Sequence, residues 1–596
     1  MKRILLAAIW VWCALTVSAA AAENKSTDKS PTLQPVPGHV VDHLTATRGI
    51  VVNPTPVKMQ FTGADTIDVA KGFNLAKVPE SLRQDFNGQK ANPKGLPVKV
   101  AVKARKGAVA GTYTLTLTPA RVSIEAVDAD GVFYAAGTLQ QILTSAAEAK
   151  VPVPAMVITD YPAFPFRGVV EGFYGTPWSH DTRLRMLDHM GANKMNSYVF
   201  GPKDDPYHNV PHWRQPYPAA EAAKISELCS RAAKNHVNFI WAIHPGGDIR
   251  WNREDYDSLL NKFRAMYDLG VRQFAVFFDD ISGAGTDSHK QAALLNDLNR
   301  DFVQKMPGMR SLIVCPTDYT QSWANPTDSG QLAVYGRELD PDIQVFWTGS
   351  AVCSDVKKAD RDFVRERIRR PSLTWWNFPV SDYVRTNLLL GPCYNLDTTL
   401  TAADMSGILT NPMEQGEASR SAVYCVADYG WNPRAYNALD SWERSIRDLV
   451  PGAPEAYRTI AINTTDPQKD FRKIESWEAD TFRVDNYTQE QFRALYQQFT
   501  QLAMAPMKLI ADGDNAELVK EIFPWLEQAA ALGSRGILAL NLIKTYESGD
   551  REAFLRDYNV LNTVNSLQRP GWEAHRVGTQ RLQPFIDNVL KDLRNK

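Results

Sequence analysis

Between residues 167 and 410 the chain repeats one pattern eight times, a short apolar run followed by polar, aromatic or glycine residues. The runs fall at 168–170, 197–200, 239–243, 274–278, 312–314, 343–347, 373–376 and 407–409. Several are separated by stretches with apolar residues at i, i+3 and i+4, such as Ile225, Leu228, Cys229 and Ala232, or Leu259, Leu260, Phe263, Met266 and Tyr267. That spacing puts the apolar residues on one face of a helix. Eight strand-helix units over roughly 250 residues predict an α/β fold of the (β/α)8 barrel type, in which catalytic groups stand where the strands end, at the carboxyl face.

The strand ends are therefore where function is read. The fourth run ends in Asp279-Asp280. Two carboxylates this close in a partly dry pocket resist carrying two charges, so their pKa values separate, as acid/base catalysis requires. A strand-end Asp pair also caps a following helix or holds a cation, and the barrel context favours catalysis. Tyr174, Tyr319, Trp323, Trp347, Trp375 and Trp376 lie at or just past other strand ends. Aromatic faces beside Asp, Asn and Lys suit the C–H faces and hydroxyls of a sugar. Strand alternation allows only one of Trp375 and Trp376 to face the pocket.

The flanks differ from the barrel. Residues 1–22 carry Lys2 and Arg3, an apolar run from Ile4 to Leu15 and small residues through Ala22, the pattern of a secretory signal cleaved near Ala22. The run is short of the roughly 20 residues a membrane span needs, so stable membrane insertion is not expected and the mature protein is read as exported, periplasmic or extracellular. Residues 23–39 read as a flexible leader. Residues 40–160 read as a small α/β domain with strands around 113–117 and 122–126 and a helix around 132–143. The barrel takes residues 161–455, and 456–596 read as a helical domain, with periodicity at 492–509 and 518–532.

Charge and cysteines exclude several functions. A formal net charge of −1 leaves no basic excess for a phosphate backbone, so a nucleic-acid partner is not expected. Cys229, Cys315, Cys353, Cys393 and Cys425 show neither metal-ligand nor disulfide-framework spacing, and those in apolar-periodic segments read as small buried hydrophobes. His189, His208, His212, His236 and His244 belong to no metal motif, and Pro211 separates His208 from His212. No metal or other cofactor is expected.

Four long motifs occur in order: Arg167 to Ser179 (RGVVEGFYGTPWS), Tyr198 to Tyr207 (YVFGPKDDPY), Phe277 to Ser282 (FFDDIS) and Trp375 to Tyr383 (WWNFPVSDY). On them the chain resembles glycoside hydrolase family 84, the β-N-acetylglucosaminidases that include O-GlcNAcases, over about residues 40–455. The first domain resembles the one preceding the barrel in many β-hexosaminidases. The resemblance implies substrate-assisted hydrolysis of terminal β-linked N-acetylglucosamine, an exception to the scheme of two protein carboxylates. It implies that Asp279 orients the 2-acetamido group and Asp280 acts as general acid and base. Gly172, Lys203, Asn377, Asp382 and Asn411 would surround the sugar, with Lys203 near O3 and Asp382 on ring hydroxyls. Tyr319, Thr348 and Trp375 would enclose the acetamido methyl, and Tyr174 and Trp323 would lie on the aglycon side. Taken singly, Gly172 also reads as a turn glycine, Lys203 and Asp382 as a surface pair, and Asn377 and Asn411 as strand caps. The alternatives are an endo-acting hyaluronidase-like or chitinase-like glycosidase, or a non-catalytic carbohydrate-binding protein. The expected partner is a carbohydrate or glycoprotein substrate.

Overall fold

The structure, a computed structural model, describes residues 47–464 and 482–596. The signal and leader expected at 1–22 and 23–39 lie outside the described residues.

Six strands, β1 (Lys58–Ile67), β2 (Phe73–Asn74), β3 (Leu96–Val102), β4 (Tyr113–Thr118), β5 (Arg121–Ala126) and β6 (Val153–Asp160), form one mixed sheet in the order β1-β6-β4-β5-β3-β2. Alternation along β4 and β5 buries Tyr113, Leu115, Leu117, Val122 and Ile124 on one face, where the helix Ala129–Glu148 packs. Asp128 caps that helix by accepting the Gly131 N–H at 2.8 Å. The sequence pattern located β4, β5 and this helix. It passed over β1, β3 and β6, whose polar or proline-containing sequences dilute the strand signal.

This domain is fastened to the barrel through a buried charge. Asp160, at the end of β6, accepts from Tyr113 Oη at 2.7 Å, Trp431 Nε1 at 2.7 Å and Lys194 Nζ at 3.1 Å. Asp160 and Lys194 are both buried. Such a pair is tolerated because its remaining polar atoms find partners.

The barrel strands are β7 (Phe166–Glu171), β8 (Ser197–Phe200), β9 (Asn238–Ile243), β10 (Gln273–Phe277), β11 (Ile313–Cys315), β12 (Gln344–Trp347), β13 (Ser372–Trp376) and β14 (Met405–Thr410). Each matches one of the eight apolar runs. All neighbours pair in parallel, and β14 pairs with β7 to close the ring. Residues alternate between two cores. Val170, Ile240, Phe277, Phe346, Leu373 and Trp375 fill the barrel interior, while Val169, Trp241, Val276, Trp347 and Trp376 point outward against the helices. Only Trp375 of its pair therefore faces inward. Trp347, expected among the pocket aromatics, instead stacks on Phe363 in the outer layer at 5.8 Å.

The last domain is helical, with Gln489–Asp512, Ala516–Ser548, Arg551–Ala574 and Leu582–Leu593. Thr488 and Gln491 form a reciprocal capping box at its first long helix. The helix Pro454–Ile462 bridges barrel and tail across residue 455. No helix among the described residues is long and apolar enough to cross a membrane. Cys229, Cys315 and Cys425 are buried, and burial pushes the Cys229 thiol up to about 12.

Candidate active site

The site is built from the ends of β7, β8, β9, β10, β11, β12, β13 and β14. The strand ends at Phe277, and the chain turns at Asp279 and Asp280. The Phe278 N–H donates to Cys315 O at 2.9 Å, Phe278 packs outward and Asp279 is buried. At Asp280 the backbone turns into the left-handed region, with φ of 54°. Asp tolerates that conformation better than most residues. The reversal leaves the side chain exposed at the barrel mouth. Two neighbouring residues thus bring their carboxylates into unlike surroundings.

Asp279 Oδ2 accepts a hydrogen bond from Lys203 Nζ, and both side chains are buried. Burial alone would raise the Asp279 pKa, but the Lys203 ammonium overrides it, His244 adds to the effect, and the carboxyl is held well below its usual range. The same pairing raises Lys203 against its own burial. His244 Nε2 donates to the Asp279 main-chain oxygen at 2.7 Å and lies 3.5 Å from Asp279 Oδ1. Asp280 has different partners: Tyr174 Oη donates to Oδ2 at 2.7 Å and Tyr319 Oη to Oδ1 at 2.8 Å.

Around this pair stand the other sequence-predicted residues. Trp375 lies between Phe277 and Phe346, with ring centroids 5.4 and 5.3 Å away, and its Nε1 donates to Asn377 Oδ1 at 2.9 Å. Asn377 Oδ1 also accepts from Asn411 Nδ2 at 2.9 Å, and Asn411 Oδ1 accepts the Gly172 N–H at 3.4 Å. The two asparagines belong to one network and are not separate strand caps. Gly172 is required by close approach, since a Cβ there would lie 2.6 Å from Trp375 Cη2. Thr348 is buried, its Oγ1 donating to Ala351 O at 3.0 Å and Tyr319 O at 3.2 Å. Asp382 Oδ2 accepts the Tyr174 N–H at 2.9 Å, and burial is the main cause of its raised pKa. Trp323 is half exposed and meets Tyr319 edge-on at 5.0 Å. Lys203 and Asp382 do not form the surface pair that either residue alone allowed.

Two residues escaped the sequence reading. His244 follows the apolar run 239–243 in the sequence, which gives it no role, and it stands at the end of β9. Glu414 lies just past the β14 end and accepts the Thr176 N–H at 2.6 Å. Its signal, a carboxylate three residues beyond Asn411, was available. Among the described residues no cluster of three or more His, Cys, Asp or Glu is arranged to hold a metal ion.

A closed eight-stranded parallel barrel, with adjacent carboxylates and an aromatic wall at its carboxyl face, is the architecture of a barrel protein whose site stands at the strand ends. Residues 167–462 match the β-N-acetylglucosaminidase family, residues 36–161 match domain 2 of glycosyl hydrolase family 20, and residues 474–589 match the bacterial GH84 post-catalytic domain. The chain belongs to glycoside hydrolase family 84. It is 32% identical over 275 residues to the protein O-GlcNAcase of Mus musculus, a match covering 44% of this chain and 29% of that one. The chain thus spans less than a third of that relative. Among solved structures it is similar to CpGH84B (29% identity, TM-score 0.80, 91% of this chain and 100% of that one). It is also similar to an O-GlcNAc hydrolase of Thermobaculum terrenum (26% identity, TM-score 0.65, 73% of this chain and 96% of that one).

Proposed function

We propose that the protein is an exported, retaining exo-β-N-acetylglucosaminidase that removes terminal β-linked N-acetylglucosamine from a glycan or glycoprotein by substrate-assisted catalysis. One observation carries the reading. Adjacent carboxylates are split into a buried anion on Lys203 and an exposed group on two phenols. Substrate assistance needs this division, since one group must enter the reaction charged to receive the acetamide N–H while the other exchanges a proton with the leaving oxygen and then with water.

In this mechanism the 2-acetamido oxygen attacks the anomeric carbon as the bond to the leaving oxygen breaks, and Asp280 gives that oxygen its proton. Asp279 accepts hydrogen-bonded charge, or the proton, from the acetamide N–H, so an oxazoline forms. Asp280 then takes a proton from water, which attacks the same carbon and opens the ring, returning the N–H. Two inversions give retention. The Trp375 face, with Thr348 and Tyr319, would enclose the acetamido methyl. Asn377, Asn411, Gly172 and Asp382 would hold the sugar, while Lys203 keeps Asp279 charged and has further N–H groups for a hydroxyl. Tyr174 and Trp323 reach Asp280 from opposite partners, one directly and one through Tyr319, which suits them to flank the departing aglycon. Export rests on the pattern of residues 1–22, and a mature N-terminus at Glu23 would support it.

The test is hydrolysis of an aryl β-N-acetylglucosaminide beside the matching β-glucoside. Turnover of the first with negligible turnover of the second is expected, because the acetamide is the nucleophile. A thiazoline mimic of the oxazoline should bind far more tightly than substrate. Comparable rates on both glycosides would overturn the mechanism.

A further inference from the structure

The helical tail touches the barrel at two points that lead to one corner of the site. From the helix Ala516–Ser548, Trp525 Nε1 donates to Thr386 O at 2.9 Å. The Arg576 N–H donates to the same carbonyl at 2.8 Å, and the Trp525 ring meets His575 edge-on at 4.8 Å. Thr386 lies four residues past Asp382 and two past the end of the short 3₁₀ turn Asp382–Val384, and the Val384 O accepts the Asn387 N–H at 2.8 Å. This segment belongs to the long connection between β13 and β14, the kind of loop that scaffold contacts must fix in place.

One turn earlier on the same tail helix, and so on the same face, stands Glu521. Its Oε2 accepts the N–H groups of Glu417 at 2.8 Å and Ala418 at 3.2 Å. These open the barrel helix Gly416–Trp431, whose N-cap residue Gln415 makes no side-chain capping bond. The tail therefore supplies the cap that this helix lacks. Immediately before it, Glu414 accepts the Thr176 N–H, while Asp382 accepts the Tyr174 N–H. Both lines of contact end on the segment 174–176.

We propose that Glu521 and Trp525 are positioning residues through which the helical tail braces the corner formed by Asp382, Tyr174 and Glu414. The kinetic consequence rests on the proposed function, because it takes Asp382 and Tyr174 as groups near the substrate. The mechanical consequence does not. Losing either contact should loosen the corner without touching a reacting group.

The experiment uses the full chain, with Trp525→Phe, which removes one donor and keeps most of the bulk, Glu521→Ala, which removes the cap, and Glu521→Gln, which keeps an acceptor. Hydrogen-exchange mass spectrometry follows the segments 380–390, 171–178 and 416–420. Trp525→Phe should speed exchange in 380–390, and Glu521→Ala in 416–420, by roughly fivefold to tenfold, the loss of about one hydrogen bond. Both should also speed 171–178, and exchange in Arg551–Ala574 should not change. On an aryl N-acetylglucosaminide both should raise KM more than they lower kcat, and Glu521→Gln should restore most of the loss. Exchange changes confined to the tail, or a Glu521→Gln variant as impaired as Glu521→Ala, would overturn the brace. Absence of hydrolysis by the wild type would overturn the proposed activity and leave the exchange result to judge the brace.

Discussion

Lys203 and Asp279 form a buried ion pair in which the ammonium at the end of β8 bonds the inner carboxylate at the end of β10. The strands are not adjacent, since β9 lies between them, so the pair spans part of the barrel mouth. Truncating one partner leaves the other buried and unpaired, a loss of about 3–5 kcal/mol.

For Lys203→Met, burial should dominate and the Asp279 pKa should rise. The acid limb of kcat/KM should then move to higher pH, with activity at the optimum at least about 100-fold lower. The stability effect has a defined sign. A carboxyl depressed in the folded state stabilises it above the unfolded pKa near 3.8, and that contribution is lost as pH falls through the folded value. The variant should therefore lose most stability at neutral pH, where denaturant titration reads it. An unchanged acid limb would contradict the role given to Lys203.

Gly172→Ala should damage the pocket wall. Its methyl group would overlap the Trp375 ring, which cannot retreat because Phe277 and Phe346 hold it and Asn377 anchors its N–H. A destabilisation of about 1–3 kcal/mol and a raised KM are expected. Gly137→Ala is the control: it lies in the helix Ala129–Glu148, where a Cβ meets nothing within 4 Å, and should be neutral or stabilising by about 0.5–1 kcal/mol. Equal effects at both positions would remove the steric argument.

Glu521 links the tail to pH. Its pKa is raised to about 7, by burial first and by the neighbouring Glu417 carboxylate second, against the opposing pull of the two N–H bonds and Arg185. Tyr457, facing the same carboxylate, stays neutral because burial keeps its phenol protonated. Since the folded pKa lies above the unfolded value of 4.5, folding favours the proton, and stability should decline as pH rises from about 4.5 to 7 and then level off. The contribution is at most about 3 kcal/mol. Glu521→Gln should flatten that part of a melting-temperature profile, and a profile unchanged from wild type would contradict the assignment.

How much of this was legible follows from particular residues. The eight strands could be read because each barrel strand is buried on both faces, giving unbroken apolar runs such as Phe274 to Phe278. β1, with its sequence KMQFTGADTI, has one solvated face and a register shift between Phe61 and Thr66, so no clean alternation survives. The candidate residues were legible as types at strand ends. Their partners were not, because contacts such as Gly172 with Trp375 and Asp382 with Tyr174 join segments some 200 residues apart. Only the folded barrel brings them together. The tail's contact with Thr386 left no trace in periodicity, since it uses a backbone carbonyl.

The central claim is that two adjacent carboxylates perform different tasks, and the most direct measurement is log(kcat/KM) against leaving-group pKa for wild type, Asp279→Asn and Asp280→Asn. Asn also tolerates the left-handed backbone at position 280, so the substitution changes chemistry more than conformation. If Asp280 is the general acid, its loss should cost roughly 10²- to 10⁴-fold with poor leaving groups and little with acidic phenols, steepening the plot. Asp279→Asn should lower the line for good and poor leaving groups alike without steepening it, because the acetamide must close its ring in either case. The reverse pattern would exchange the two roles, and full activity with equal slopes in both variants would remove the pair from the mechanism.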